Sequence, residues 1–204
     1  MRIAHIIMAH KGPGQLLRMI ERLAHPQFDF YIHIDAKVQL DEFEMLSNKP
    51  NVFFIRNRKK CNWGGWSFTR AIISCLTEII DKGREYGFFN LLSAQDYPII
   101  GADEIYRYFE QQKGRNFIYY AEADSVWWKE AAARYERYHF TDSNIPGKYL
   151  IQKIANALLP KRKFPDGMEL YGGSNASWWT ISGECAMYLV HKVPQNSRLD
   201  RFLR

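Results

Sequence analysis

The stretch Phe88-Phe89-Asn90-Leu91-Leu92-Ser93-Ala94-Gln95-Asp96-Tyr97-Pro98 decides the fold. A short apolar run bounded by a polar turn reads as a buried strand, and Tyr97-Pro98 reads as turn chemistry. The same grammar recurs upstream. Residues 3–8 are an apolar strand closed by Lys11-Gly12-Pro13-Gly14, and Phe30-Tyr31-Ile32-His33-Ile34 is a second strand ending at Asp35. Val52-Phe53-Phe54-Ile55 is a third.

Helical spacing fills the intervals. Leu16, Leu17, Ile20 and Leu23 recur along one face, residues 40–47 fit a short helix, and Phe68, Ile72, Cys75, Leu76 and Ile79 form a stripe over 67–82. A helix over 102–112 and a strand over 116–120 follow. Strands alternating with helices predict an α/β fold, Rossmann-like, with a mostly parallel sheet flanked by helices. Ligands of such sheets lie outside the carboxyl ends of the strands. Asp35 and Asp96, each just after an apolar strand, are therefore the first site candidates.

Beyond residue 120 the pattern is less regular. Residues 126–140 are dense in aromatics and paired charge, 148–159 read as an apolar-rich helix ended by Pro160, Trp178–Ser182 as a strand and 183–191 as a helix. No repeat or long linker divides the chain, so 1–204 reads as one domain.

Composition narrows the function classes. Of 204 residues, 47% are apolar and 25% charged, which is ordinary globular composition and excludes a disordered or collagenous chain. Aromatics reach 15%, and their flat faces suit sugars and bases as well as cores. Lys+Arg 28 against Asp+Glu 22 gives +6, which favours anionic partners: nucleic acid, anionic lipid or a phosphorylated small molecule. No nucleic-acid-binding pattern accompanies that charge, so no nucleic acid partner is expected. Cys61, Cys75 and Cys185 have neither metal-ligand nor disulfide spacing and read as reduced thiols. No apolar run has the length of a membrane span. Neither G-x-G-x-x-G nor G-x-x-x-x-G-K-[ST] occurs, which argues against a dinucleotide enzyme or a P-loop ATPase. Asp-x-Asp, H-E-x-x-H and G-x-S-x-G are absent too.

Four segments stand out in order: Tyr31-Ile-His-Ile-Asp35-Ala-Lys37, Trp63-Gly64-Gly65-Trp66-Ser67, Asn90-Leu-Leu-Ser93-Ala-Gln95-Asp96-Tyr97-Pro98, and Gly172-Gly173-Ser174-Asn175-Ala176-Ser177-Trp178-Trp179. Together they resemble the core-2/I-branching β-1,6-N-acetylglucosaminyltransferase family, to which the peptide O-xylosyltransferases are related. The resemblance implies a GT-A-like fold and inverting transfer of a sugar, N-acetylglucosamine first, from a UDP donor to a carbohydrate hydroxyl. It implies no metal ion and no cofactor beyond the UDP-sugar co-substrate. Residues 1–120 would form the nucleotide-sugar half and 121–204 the acceptor side.

Carried over position by position, the resemblance places Ile7 and Asp35 at the uridine. Trp63 would lie by the donor sugar, with Gly64 and Gly65 permitting close approach, and Ser93, Gln95 and Asp96 at the sugar end. Ser177 stands where relatives have an acid or amide. Glu122, Lys129, Arg134 and Trp178 would serve the acceptor, although Lys129 and Arg134 are spaced two residues wider than in relatives. Asp35 also fits a turn acid, and His33, on the same side of its strand as Asp35, reads as core. The family's base is a Glu in a Pro-x-Glu segment after the Gly-Gly-Ser strand, followed by Arg and Lys that neutralise the diphosphate. The sequence to Arg204 holds no such Glu, so the catalytic residue is unassigned and weak turnover by this chain alone is expected. The alternative reading is a non-catalytic UDP-sugar-binding module of the same fold. By class the expectation is a bacterial cytoplasmic enzyme of polysaccharide synthesis, at the inner face of the membrane.

Overall fold

The computed structural model describes residues 1–122, 125–174 and 176–203. Six strands form one sheet in the order β3-β2-β1-β4-β6-β5. They are β1 (Ile3–Ala9), β2 (Phe28–Ile34), β3 (Val52–Phe54), β4 (Phe88–Ser93), β5 (Phe117–Ile118) and β6 (Trp179–Ser182). The first four are mutually parallel, whereas β6 runs antiparallel to both β4 and β5. The helices are α1 (Pro13–Arg22), α2 (Trp66–Ile80), α3 (Ala102–Gln111), α4 (Val126–Glu136), α5 (Lys148–Leu158), α6 (Gly183–Gln195) and α7 (Ser197–Leu203), with a 3-10 turn over Asp41–Leu46. This is the GT-A-like arrangement of an α/β sheet flanked by helices.

Period-two alternation sorts the central strands into two cores. Ile3, Ile7 and Ala9 of β1 join Phe28, Phe30, Ile32 and Ile34 of β2 beneath α1 and α3. Ala4, Ile6 and Met8 face α2 and α6 on the other side, where Ile72, Cys75, Leu76 and Ile79 supply the helical stripe. With helices on both faces, every residue of β1 and β2 is buried. Each fully buried Leu, Ile or Phe contributes about 1.5–3 kcal/mol.

The face of β2 towards α2 carries buried polar groups at both of its ends. At its amino end Asp29 is ion-paired with Arg2 and Arg84 (the latter at 2.9 Å) and accepts the Tyr86 hydroxyl at 2.7 Å. Burial alone would raise the Asp29 carboxyl, but the hydrogen bonds from Arg2, Tyr86 and Arg84 hold it below the usual carboxylate range. At its carboxyl end lie His33 and Asp35.

Three elements differ from the sequence expectation. The strand expected over 116–120 is only Phe117–Ile118, because the Asn116 side chain accepts Ser182 N–H at 2.8 Å in place of a backbone partner. The helix expected over 183–191 continues to Gln195 with Pro194 in its last turn, and α7 follows. Its start is set by Ser182, whose Oγ accepts Cys185 N–H at 3.1 Å.

Candidate functional site

Parallel strands deliver their carboxyl ends to one side of the sheet, and there β1, β2 and β4 border a cavity of about 660 Å³. Its walls are Met8, Ala9 and His10 at the carboxyl end of β1, His33, Asp35 and Lys37 at that of β2, and Ser93, Gln95 and Asp96 at that of β4. Cys61 and Trp63 close it from the loop before α2, Phe68 from the first turn of α2, and Trp178 from just before β6.

Each wall is fixed by backbone bonding. Asp35 N–H bonds Ala9 C=O at 2.8 Å, and Ala94 N–H bonds Met8 C=O at 3.1 Å, so the three strand ends are tied together. Asp35 is buried and serves two segments. Its Oδ1 accepts Lys37 N–H at 2.9 Å, its Oδ2 accepts Cys61 N–H at 3.2 Å, and Lys37 Nζ stands 3.5 Å from Oδ2. Arg58 holds the same turn, its guanidinium donating to the carbonyls of Ile34 (2.9 Å), Asp35 (3.0 Å) and Val38. A planar fork can bridge three carbonyls in this way where a lysine cannot. Asp96 closes the β4 turn by accepting Ser93 N–H at 2.8 Å, and Ser93 Oγ accepts Gln95 N–H at 3.2 Å. A carboxylate has about four acceptor positions, so both acids retain capacity for a ligand donor.

His33 lines the cavity although almost fully buried. Its Nε2 accepts Lys59 N–H at 3.0 Å, which fixes the ring as the neutral tautomer protonated on Nδ1. Burial lowers its pKa, and the Asp35 charge opposes this only in part. Burial pushes the Cys61 thiol up to about 12, so it is no nucleophile.

The aromatic wall opens to solvent at Trp63. Trp63 is 69% accessible, its ring 6.3 Å from Trp178 and 5.3 Å edge-on from Phe68. A packed core tryptophan would not be left so open, and two indoles flanking a cavity that also presents two carboxylates suit a flat, hydroxylated ligand.

The structure thus brings together Asp35, Trp63, Ser93, Gln95, Asp96 and Trp178 in one cavity. Other candidates lie elsewhere. Ile7 is fully buried in the core beneath α1, because the carboxyl end of β1 is reached only at Met8–His10. Gly64 holds φ +73° in the turn beside Trp63. Gly65 does make room, but for Asp142: a Cβ there would stand 2.3 Å from its Oδ1. Asp142 in turn caps α2, accepting Ser67 N–H at 2.7 Å and Ser67 O–H at 2.6 Å. Ser177 is exposed beside Trp178 and does not line the cavity. Nor do Glu122, Lys129 or Arg134, all exposed, with the Arg134 guanidinium 5.9 Å over the Trp127 ring of its own helix. The glycine pair 172–173 packs against aromatic rings, since a Cβ on Gly173 would stand 2.6 Å from the Tyr119 ring. Asn175, quoted with that segment, lies outside the described residues.

Sequence reasoning passed over His10, Lys37, Cys61 and Phe68 as wall residues. Lys37 stands two positions after Asp35 and Phe68 five after Trp63, so nearness to a motif was their only signal. Among the described residues, no group of three or more His, Cys, Asp or Glu side chains is placed to hold a metal ion.

Comparison with known proteins adds to this geometry. Residues 3–201 match the Core-2/I-Branching enzyme family. The whole chain is similar to Xylosyltransferase oxt of Drosophila melanogaster, 22% identical over 207 residues that make up 22% of that protein. It is also similar to Xylosyltransferase 2 of Homo sapiens and of Mus musculus, 25% identical over 195 residues, covering 93% of this chain and 21% of each of those proteins. The chain spans about a fifth of the length of these curated relatives.

Proposed function

Because the chain belongs to the core-2/I-branching enzyme family, we propose that its cavity holds the nucleotide-sugar donor of a glycosyl transfer, a UDP-sugar, used without a metal ion. The observation that carries this reading is the juxtaposition of Asp35 and Asp96 with the exposed Trp63 and the half-buried Trp178, at the carboxyl ends of parallel strands. Asp35 has acceptor capacity for the N–H of uracil or the ribose hydroxyls. The two indoles offer their faces to the sugar ring. UDP-N-acetylglucosamine and UDP-xylose are the two donors to compare, the second because the relatives are named xylosyltransferases.

In the proposed reaction a base takes the proton of an acceptor hydroxyl, whose oxygen attacks the anomeric carbon opposite the departing diphosphate, inverting it. Asp35 and Asp96 already accept backbone N–H groups. We assign them to holding the donor and its loops, and assign no base among the residues described.

Calorimetric titration tests the reading. UDP and a UDP-sugar should both bind in the presence of a chelator. Trp63→Ala should weaken the UDP-sugar by roughly 1–2 kcal/mol while leaving UDP nearly unchanged, as expected for loss of an aromatic contact to the sugar alone. Failure of the unaltered chain to bind either ligand would overturn the proposal. Binding that requires a divalent cation would overturn its metal-free form.

A further inference from the structure

Helix α5 is mounted with its polar face inward. Asn156 Oδ1 accepts Tyr138 N–H at 2.9 Å while its amide donates to Tyr138 C=O at 2.9 Å, and Gln152 Oε1 accepts Phe140 N–H at 2.9 Å. Lys148 Nζ donates to the carbonyls of Thr141 and Ser143 at 3.0 and 3.1 Å. Lys148, Gln152 and Asn156 share one side of a helix at i, i+4 and i+8, so that side is spoken for.

The opposite side is apolar and open. Leu150, Ile151, Ile154 and Leu158, at i, i+1, i+4 and i+8, form a single stripe, and their accessibilities are 65%, 42%, 49% and 78%. Ile145 just before the helix and Leu159 just after it are exposed as well. No residue of the helix is buried. A helix that only served the fold would turn this stripe inward and leave Gln152 and Asn156 to solvent.

Charge identifies what the stripe meets. From Asn144 to Pro165 the chain carries Lys148, Lys153, Lys161, Arg162 and Lys163 and not one Asp or Glu. Lys161 is paired with Glu136 at 2.5 Å, but Lys153 and Lys163 are exposed. An apolar stripe bordered by basic residues fits the headgroup boundary of an anionic bilayer. It would repel a second copy of itself. We propose that α5 is the contact of this protein with an anionic lipid surface, lying in the interface plane with Leu150, Ile154 and Leu158 among the acyl chains. At 11 residues it lies on a membrane and does not cross it, and no helix among the described residues is long and apolar enough to span one.

The test is co-sedimentation of the chain with vesicles of phosphatidylcholine, alone or mixed with phosphatidylglycerol. Partitioning onto the anionic vesicles should exceed that onto neutral ones by roughly tenfold. The triple variant Leu150→Gln, Ile154→Gln, Leu158→Gln should lose about tenfold or more of that partitioning, with an unchanged circular dichroism spectrum and melting temperature. No binding to anionic vesicles would overturn the proposal. So would undiminished binding by the triple variant, which would move the contact to another basic surface such as Arg56–Lys60. Self-association of the unaltered chain that the variant abolishes would assign the stripe to a second copy.

Discussion

Asp35 shows how one side chain can hold the fold and line the candidate site. Its carboxylate accepts the amides of Lys37 and Cys61, tying the end of β2 to the loop that carries Trp63. Asp35→Ala strands two donors, and we expect it to cost about 1–3 kcal/mol of stability as well as UDP affinity. Trp63→Ala, at an exposed position, should leave the unfolding free energy where it is. Urea titration of both variants checks this, and equal destabilisation by the two would contradict the account. Asp35 was legible because an acid directly after an apolar strand marks a ligand-facing edge. The Cys61 amide was not, because local pattern does not report a partner 26 residues away. Ile7 misled for a related reason: resemblance transfers a position, while burial depends on where the strand ends.

At the scale of elements, the parallel strands and α2 were readable because each follows a single period, two or 3.6, with turn residues at its ends. What joins elements was not readable. Asp142 caps α2 from 75 residues away, and the space it uses exists only because residue 65 is glycine. Asp142→Ala should therefore cost about 1–2 kcal/mol, as loss of a helix cap does. Gly65 has φ −94°, which alanine adopts freely, so its side of the coupling is steric. Gly65→Ala should destabilise the unaltered protein yet be neutral or mildly stabilising once Asp142 is alanine. A double-mutant cycle by thermal denaturation checks this, and simple additivity would contradict it. The helix over 148–158 was likewise legible as amphipathic, but the periodicity of a helix does not say which face the rest of the chain will take.

The whole molecule carries an acid limb set by buried groups. His5, fully buried against Phe28 and Phe30, has its pKa lowered by burial to about 3, and burial lowers that of His33 too. Both are neutral when folded and take up protons when unfolded. Their contribution is complete above the ordinary histidine pKa, about 6.5, and is lost as pH falls. Asp29, held below the usual carboxylate range, adds a second loss of the same sign below about pH 4. Unfolding free energy should thus fall in two stages on acidification, and His5→Phe should flatten the first. A profile flat between neutrality and pH 5 would contradict this. The central claim is that the cavity after β1, β2 and β4 holds a UDP-sugar, and amide chemical-shift mapping during a UDP-sugar titration tests it most directly. The account predicts saturable shifts concentrated at residues 8–10, 33–38, 61–68, 93–96 and 177–178. A second cavity, of about 950 Å³, runs along α2 between Arg56, Lys59, Lys60, Arg70 and Lys82; shifts confined to residues 56–60 and 70–82 there, or none at saturating ligand, would contradict it.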